Sequence, residues 1–245
     1  MKIKPYKQIL LTAIPFAVLG IAFKVMTLIE GLTEIRPANA IPIVAGLLFG
    51  PYGAIGCAVG NLVADCFGTL NLTSILGVIG NFMAAFIPWK LWYLFKKEKP
   101  NVHTYKNIAV YIFLSLVSAL SVAWILGFGL EVFFNMWIKE IYKYVFINNL
   151  AFSIGLGMPL FIVFTSDSIN VEPHEAPKSS EKLCKVNYMA LITGIYVLLM
   201  LVILAGVITG YHFDNSIVMK ISSFICFILL AVFCFMPLCK QKKIS

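Results

Sequence analysis

Two short apolar runs, 41–49 and 54–64, are separated by Gly50-Pro51-Tyr52-Gly53. Pro51 has no backbone N–H, and the glycines beside it permit tight turning, so the two runs cannot merge into one straight helix. A hairpin of two short membrane helices satisfies both constraints. Its second helix carries Gly53, Gly56, Gly60 and Ala64 near one face, small residues that let another helix approach closely. The same helix carries Asn61 and Asp65, four apart and so on one face. A carboxylate at that depth is costly unless it meets water, a partner or a ligand.

Composition supports a lipid setting. The 245 residues are 60% hydrophobic and only 12% charged, which places the chain among integral membrane proteins and leaves no room for a soluble catalytic or nucleic-acid-binding domain. Apolar segments at 9–29, 40–49, 52–67, 74–95, 108–130, 145–165, 187–210 and 217–238 predict about eight membrane helices. Lysines mark the ends and loops that stay in the cytoplasm. They cluster at Lys2, Lys4 and Lys7, from Lys90 to Lys106, at Lys178, Lys182 and Lys185, and from Lys240 to Lys243. Arg36, Lys139, Lys143 and Lys220 fall on the other side. Eight segments with both termini cytoplasmic satisfy this bias, and the first is expected to be a retained helix rather than a cleaved signal. Residues 131–144 are expected to form an external segment, and the polar stretch 166–186 a flexible cytoplasmic linker.

Chemistry-bearing motifs are few. Cys57, Cys66, Cys226 and Cys234 sit in apolar runs without a CxxC pair and are expected to be reduced packing residues. His103, His174 and His212 are isolated in loops, and no nucleophile motif, phosphate loop or HExxH helix occurs. Neither a metal, a cofactor nor an enzymatic reaction is therefore expected. Polar residues instead collect at one membrane level: Glu34, Arg36, Asn39, Asn61, Asp65, Glu131, Asn148 and Asn149, with Asn81 somewhat deeper. Singly, each has an ordinary structural role open to it. Arg36 can pair with Glu34 or Glu30, and Asn61 can bond a neighbouring helix. Two readings also stand for Lys24, snorkelling to the outer interface or facing a ligand cavity. Convergence on one face argues for an externally open pocket that places a few polar groups among apolar walls. The residues expected to contact a small-molecule substrate are Glu34, Arg36, Asn39, Asn61, Asp65, Asn81 and Asn149.

The glycine-proline break after Gly46-Leu47-Leu48-Phe49, followed by a glycine-rich helix with an acidic end, resembles the substrate-binding S components of energy-coupling factor (ECF) vitamin transporters. The Glu34-Ile35-Arg36 hook before the short helices is similar to the members associated with queuosine precursors. The resemblance covers about residues 1–165. It implies a six-helix substrate-binding membrane domain at 1–167, with 168–186 as linker and 187–245 as an added two-helix hairpin and basic tail. The fold class is thus an all-α integral membrane protein, a six-helix S-component-like bundle plus a C-terminal hairpin. The resemblance further implies capture of a water-soluble vitamin or nucleobase-like micronutrient from outside the cell membrane, under a closing first loop. Transport would then need a transmembrane coupling subunit and two ATPase subunits, with Ala13 and Ala17 as the coupling contact. A stand-alone secondary transporter or channel is the competing reading, since the glycine-proline break also fits a discontinuous helix.

Overall fold

The computed structural model describes residues 3–29, 33–166, 169, 171–175, 179–180, 188–235 and 238–239, with side chains described for 3–26, 35–166, 169, 171–175 and 190–235. The first helix, α1 (Pro5–Ala22), starts on a proline, whose missing N–H costs nothing in a first turn. It ends seven residues before the expected boundary. Residues Thr27–Ile29 (β1) and Thr33–Glu34 (β2) instead pair antiparallel as a small hairpin. A four-residue 3-10 turn, Pro37–Ala40, leads into α2 (Ile41–Phe49). Gly50, at φ 55°, then breaks the chain, and α3 (Pro51–Asp65) begins on Pro51. The break in the sequence is therefore the tip of the expected helical hairpin.

The glycine face of α3 meets α1. A Cβ on Gly60 would lie 2.8 Å from the Ala13 carbonyl oxygen, and one on Gly56 2.6 Å from Thr12 Cβ. Ala13 and Ala17 are correspondingly buried, at 7% and 8% exposure. Ala13 faces α3, which α1 can approach this closely only where both helices present small side chains. Gly46 of α2 meets α4 (Ser74–Phe95) in the same way: a Cβ there would lie 2.0 Å from the Ala85 carbonyl oxygen.

Next comes α5 (Tyr105–Phe134), opened by Thr104, whose hydroxyl accepts from the Asn107 N–H, and closed by Asn135 in the left-handed region. The segment 131–144 is largely helical, formed by the end of α5 and the start of the next helix. After four residues α6 (Lys139–Phe152) begins, passes through a π-turn at Ser153–Gly157 and continues as α7 (Met158–Thr165). Tyr111 donates to the Ser153 carbonyl at 3.0 Å within that turn. Its wide geometry leaves backbone groups needing such a partner.

The chain closes with α8 (Tyr188–Thr209) and α9 (Ile217–Phe235), while residues Ser179–Ser180 (β3) pair parallel with Leu238–Cys239 (β4). Among the described residues six helical stretches are long and apolar enough to cross a membrane, and Pro37–Phe49 is a shorter apolar one. The last hairpin packs on the bundle through buried polar ties. Lys90 is not a loop lysine: at 3% exposure it donates to the Phe233 and Cys234 carbonyls at the C-terminal end of α9. At the opposite end Glu131 accepts from the N–H groups of Phe213 and Asp214, at 2.9 and 2.7 Å. A cation at helix carbonyls and an anion at N–H groups both oppose the backbone dipole. Between them Tyr196 donates to Ser121 at 2.9 Å.

The described part of the linker does not hang free. Trp89 donates to the Glu175 carbonyl at 3.2 Å, Tyr93 to the His174 carbonyl, and Lys99 pairs with Glu172. The His174 ring stacks on Trp89 and lies over Gly50, where a Cβ would meet it at 2.0 Å. Burial holds its pKa below 6.5, although Glu175 pulls the other way. Cys57 and Cys226 are buried as expected, whereas Cys66, which caps α3, is exposed.

Candidate functional site

Helix periodicity builds the first half of the site. Asn61, Asp65 and Thr69 follow one another at intervals of four along α3 and its continuation. Asn61 Nδ2 donates to Asp65 Oδ2 at 3.0 Å, and Thr69 Oγ1 donates to Asp65 Oδ1 at 3.3 Å. From α4, Asn81 Nδ2 donates to Asn61 Oδ1 at 3.0 Å, and also to the Gly77 carbonyl one turn back. Asp65 is buried, not solvated among headgroups, and the polar row beneath it runs inward along the α3–α4 contact.

The second half comes from the chain on either side of the β-hairpin. Before it, Lys24 Nζ donates to Thr69 Oγ1 at 2.7 Å. After it, Arg36 Nη2 lies 3.8 Å from Asp65 Oδ1. That separation suits an ion pair but exceeds hydrogen-bonding range. The Arg36 N–H is held by Asn148 Oδ1 of α6 at 3.3 Å. Both ends of the loop therefore converge on one carboxylate and the threonine beside it.

A cavity of about 50 Å³ lies against Arg36, Asp65 and Thr69, bounded by the Asn71–Ser74 turn and by Leu126, Leu130 and Ile141. It has room for about three or four waters. Ligand pockets usually measure roughly 300–1,000 Å³. A ligand larger than a few waters therefore needs the walls of this cavity to move.

Of the seven residues expected at a substrate site, the structure joins four: Arg36, Asn61, Asp65 and Asn81. Asn39 is buried in the 3-10 turn, where its carbonyl accepts from Ser153 at 3.4 Å. Asn149 turns back to the Val145 carbonyl of its own helix at 2.9 Å. Neither lines the cavity. The backbone of Glu34 ends β2, but its side chain lies outside the described residues. Glu131 belongs to the attachment of the last hairpin and not to this site. Sequence reasoning left Lys24 undecided and omitted Thr69, although the spacing from Asp65 to Thr69 continues the stripe begun at Asn61. Among the described residues no group of three or more His, Cys, Asp or Glu is placed to hold a metal.

Six long apolar helices, a short helical hairpin packed through glycines and a polar mouth define a multi-pass membrane protein with an S-component fold. A family model described as "QueT transporter" matches residues 7–166. The chain belongs to the QueT transporter family. The match ends where α7 ends, so α8 and α9 fall beyond it. It is a family of transporters, not of enzymes. No curated protein and no solved structure matches the chain.

Proposed function

We propose that the protein is the substrate-capture component of an ECF-type importer, and that it binds a small, water-soluble queuosine precursor or related nucleobase-like micronutrient from outside the cell. The observation that carries this reading is the hydrogen-bonded row Asn81–Asn61–Asp65–Thr69, met at its outer end by Lys24 and Arg36 beside a small cavity, within a chain of the QueT family. Asparagine amides and a carboxylate offer both donors and acceptors, which suits a ring edge carrying N–H groups and carbonyls. Arg36 adds a planar fork for a carbonyl or ring nitrogen. Asn39 and Asn149 belong to this reading as residues that become ligand contacts once the loop lifts.

In this reading residues 1–167 form the substrate-binding domain and both termini face the cytoplasm. The chain carries no motor of its own, and a transmembrane coupling subunit with two ATPase subunits supplies the work. The coupling subunit docks along α1, where Ala13 keeps the helix against α3, Ala17 is likewise buried, and Leu10, Ile14 and Val18 form the outward face. The test is to purify the full chain from its host and identify the co-purifying small molecule by mass spectrometry. A nucleobase-like compound, released stoichiometrically on denaturation, is the expected result. A chain that retains no small molecule, and that moves solute across vesicles without ATPase subunits, would overturn the reading.

A further inference from the structure

Arg36, Lys139, Lys143 and Lys220 break the charge bias that places basic residues at the other end of the molecule. Lys24 lies at that end too and is bonded to Thr69; of the four, Arg36 faces Asp65, and Lys220 pairs with Asp214 at 2.9 Å. Lys139 and Lys143 are both exposed, and neither has an ion-pair partner among the described residues. They stand one turn apart at the start of α6, the same end of the bundle as Arg36, since Ile141 between them lines the Arg36 cavity.

These two lysines form the rim of a groove of about 490 Å³ between α6 and α8. Below the rim the walls are apolar: Phe146 and Ile147 from α6, Leu204 and Ile208 from α8. Glu140 shares the rim, so its three charges sum to one positive. The stretch from α6 through α7, and α8, are each long and apolar enough to cross a membrane, so the groove opens into the bilayer with its basic end toward the headgroups. The last hairpin creates this groove, because α8 is one of its walls.

We propose that the groove is a binding site for one anionic phospholipid, with its phosphate between Lys139 and Lys143 and an acyl chain along the apolar wall. The division of the groove argues for this occupant. A soluble anion would use only the rim, and a zwitterionic lipid would bring its own cation to a rim that is already net positive. An anionic amphiphile uses both parts.

The test is native mass spectrometry of the full chain in neutral detergent, given equal phosphatidylglycerol and phosphatidylcholine. The wild-type chain is expected to retain phosphatidylglycerol about tenfold over phosphatidylcholine, which is the scale of two lysines near a headgroup. Lys139→Gln with Lys143→Gln should remove the preference while thermal unfolding in detergent stays as in the parent. Lys96→Gln with Lys97→Gln, a basic pair elsewhere, should keep it. Ile208→Trp, which narrows the groove, should lower retention of both lipids. Glycerol phosphate, the soluble headgroup alone, should not compete. Equal retention of the two lipids by the wild type, a preference that survives the first pair, a preference lost with the second pair, or effective competition by glycerol phosphate each overturns the proposal.

Discussion

Nη2 of Arg36 lies 3.8 Å from Oδ1 of Asp65, and Lys24 reaches the same carboxylate through Thr69. The loop between residues 24 and 36 is thus tied at both ends to the last turn of α3. Opening the mouth requires both ties to yield.

Lys24→Met is expected to loosen the closed loop without unfolding the bundle. Losing a charge-assisted hydrogen bond at a part-buried site costs about 1.5–3 kcal/mol, so ligand affinity should fall roughly tenfold or more, chiefly through faster release. Thr69→Val, which breaks the same chain of bonds one link later, should give a similar change. Stopped-flow dissociation of the co-purified compound measures both. A Lys24→Met variant that releases ligand at the wild-type rate would show that this tie does not hold the loop.

Ala13→Trp and Gly60→Leu are expected to destabilise the protein itself. Each forces bulk into the α1–α3 contact, where the Ala13 carbonyl lies 2.8 Å from the place of a Gly60 Cβ. Overpacking of this kind costs typically about 1–3 kcal/mol. Thermal unfolding in detergent should fall for both, whereas Ile14→Trp, on the outward face, should unfold as the wild type does.

Lys90→Met and Glu131→Gln are expected to release the last hairpin from opposite ends. Each removes a buried charge satisfied by two backbone groups, a loss of about 1.5–3 kcal/mol or more. Limited proteolysis between α7 and α8, and amide exchange in α9, should rise in either variant while ligand binding persists. Unchanged protection of α9 in both would mean that apolar packing alone holds it.

Orientation follows from lysine placement. A cysteine at Leu72, which is 84% exposed beside the site, should react with an impermeant maleimide in intact cells. A cysteine at His103, in the loop between α4 and α5, should react only after permeabilisation. The reverse pattern would turn the protein over in the membrane.

Features carried by local sequence were the legible ones. The Gly50-Pro51 break, the glycine face of α3 and the Asn61–Asp65 spacing each depend on neighbours within a few positions, and the structure keeps all three. What the sequence hid are ties between distant segments. Lys90 looked like one more loop lysine because its partners, Phe233 and Cys234, lie more than 140 positions away. Glu131 looked like part of the polar mouth because nothing local points to Phe213. Ala13 and Ala17 were recognised as small, yet smallness alone does not say which neighbour comes close. Lys24 could be placed only once the end of α1 was seen to turn toward Thr69.

The central claim is that Arg36 is a ligand contact at the mouth and not merely an anchor for its loop. The decisive measurement is calorimetric titration of detergent-purified Arg36→Lys with the compound identified by co-purification, with thermal unfolding followed in parallel. Lysine keeps the charge but loses the guanidinium fork, so affinity should weaken by about 1–3 kcal/mol, roughly a tenfold or greater rise in Kd, while folding stays normal. Glu34→Gln, which keeps the size of the side chain but removes its charge, should have the smaller effect if Glu34 serves only to anchor Arg36. Unchanged affinity in a normally folded Arg36→Lys, or an equal loss in Glu34→Gln, would contradict the account.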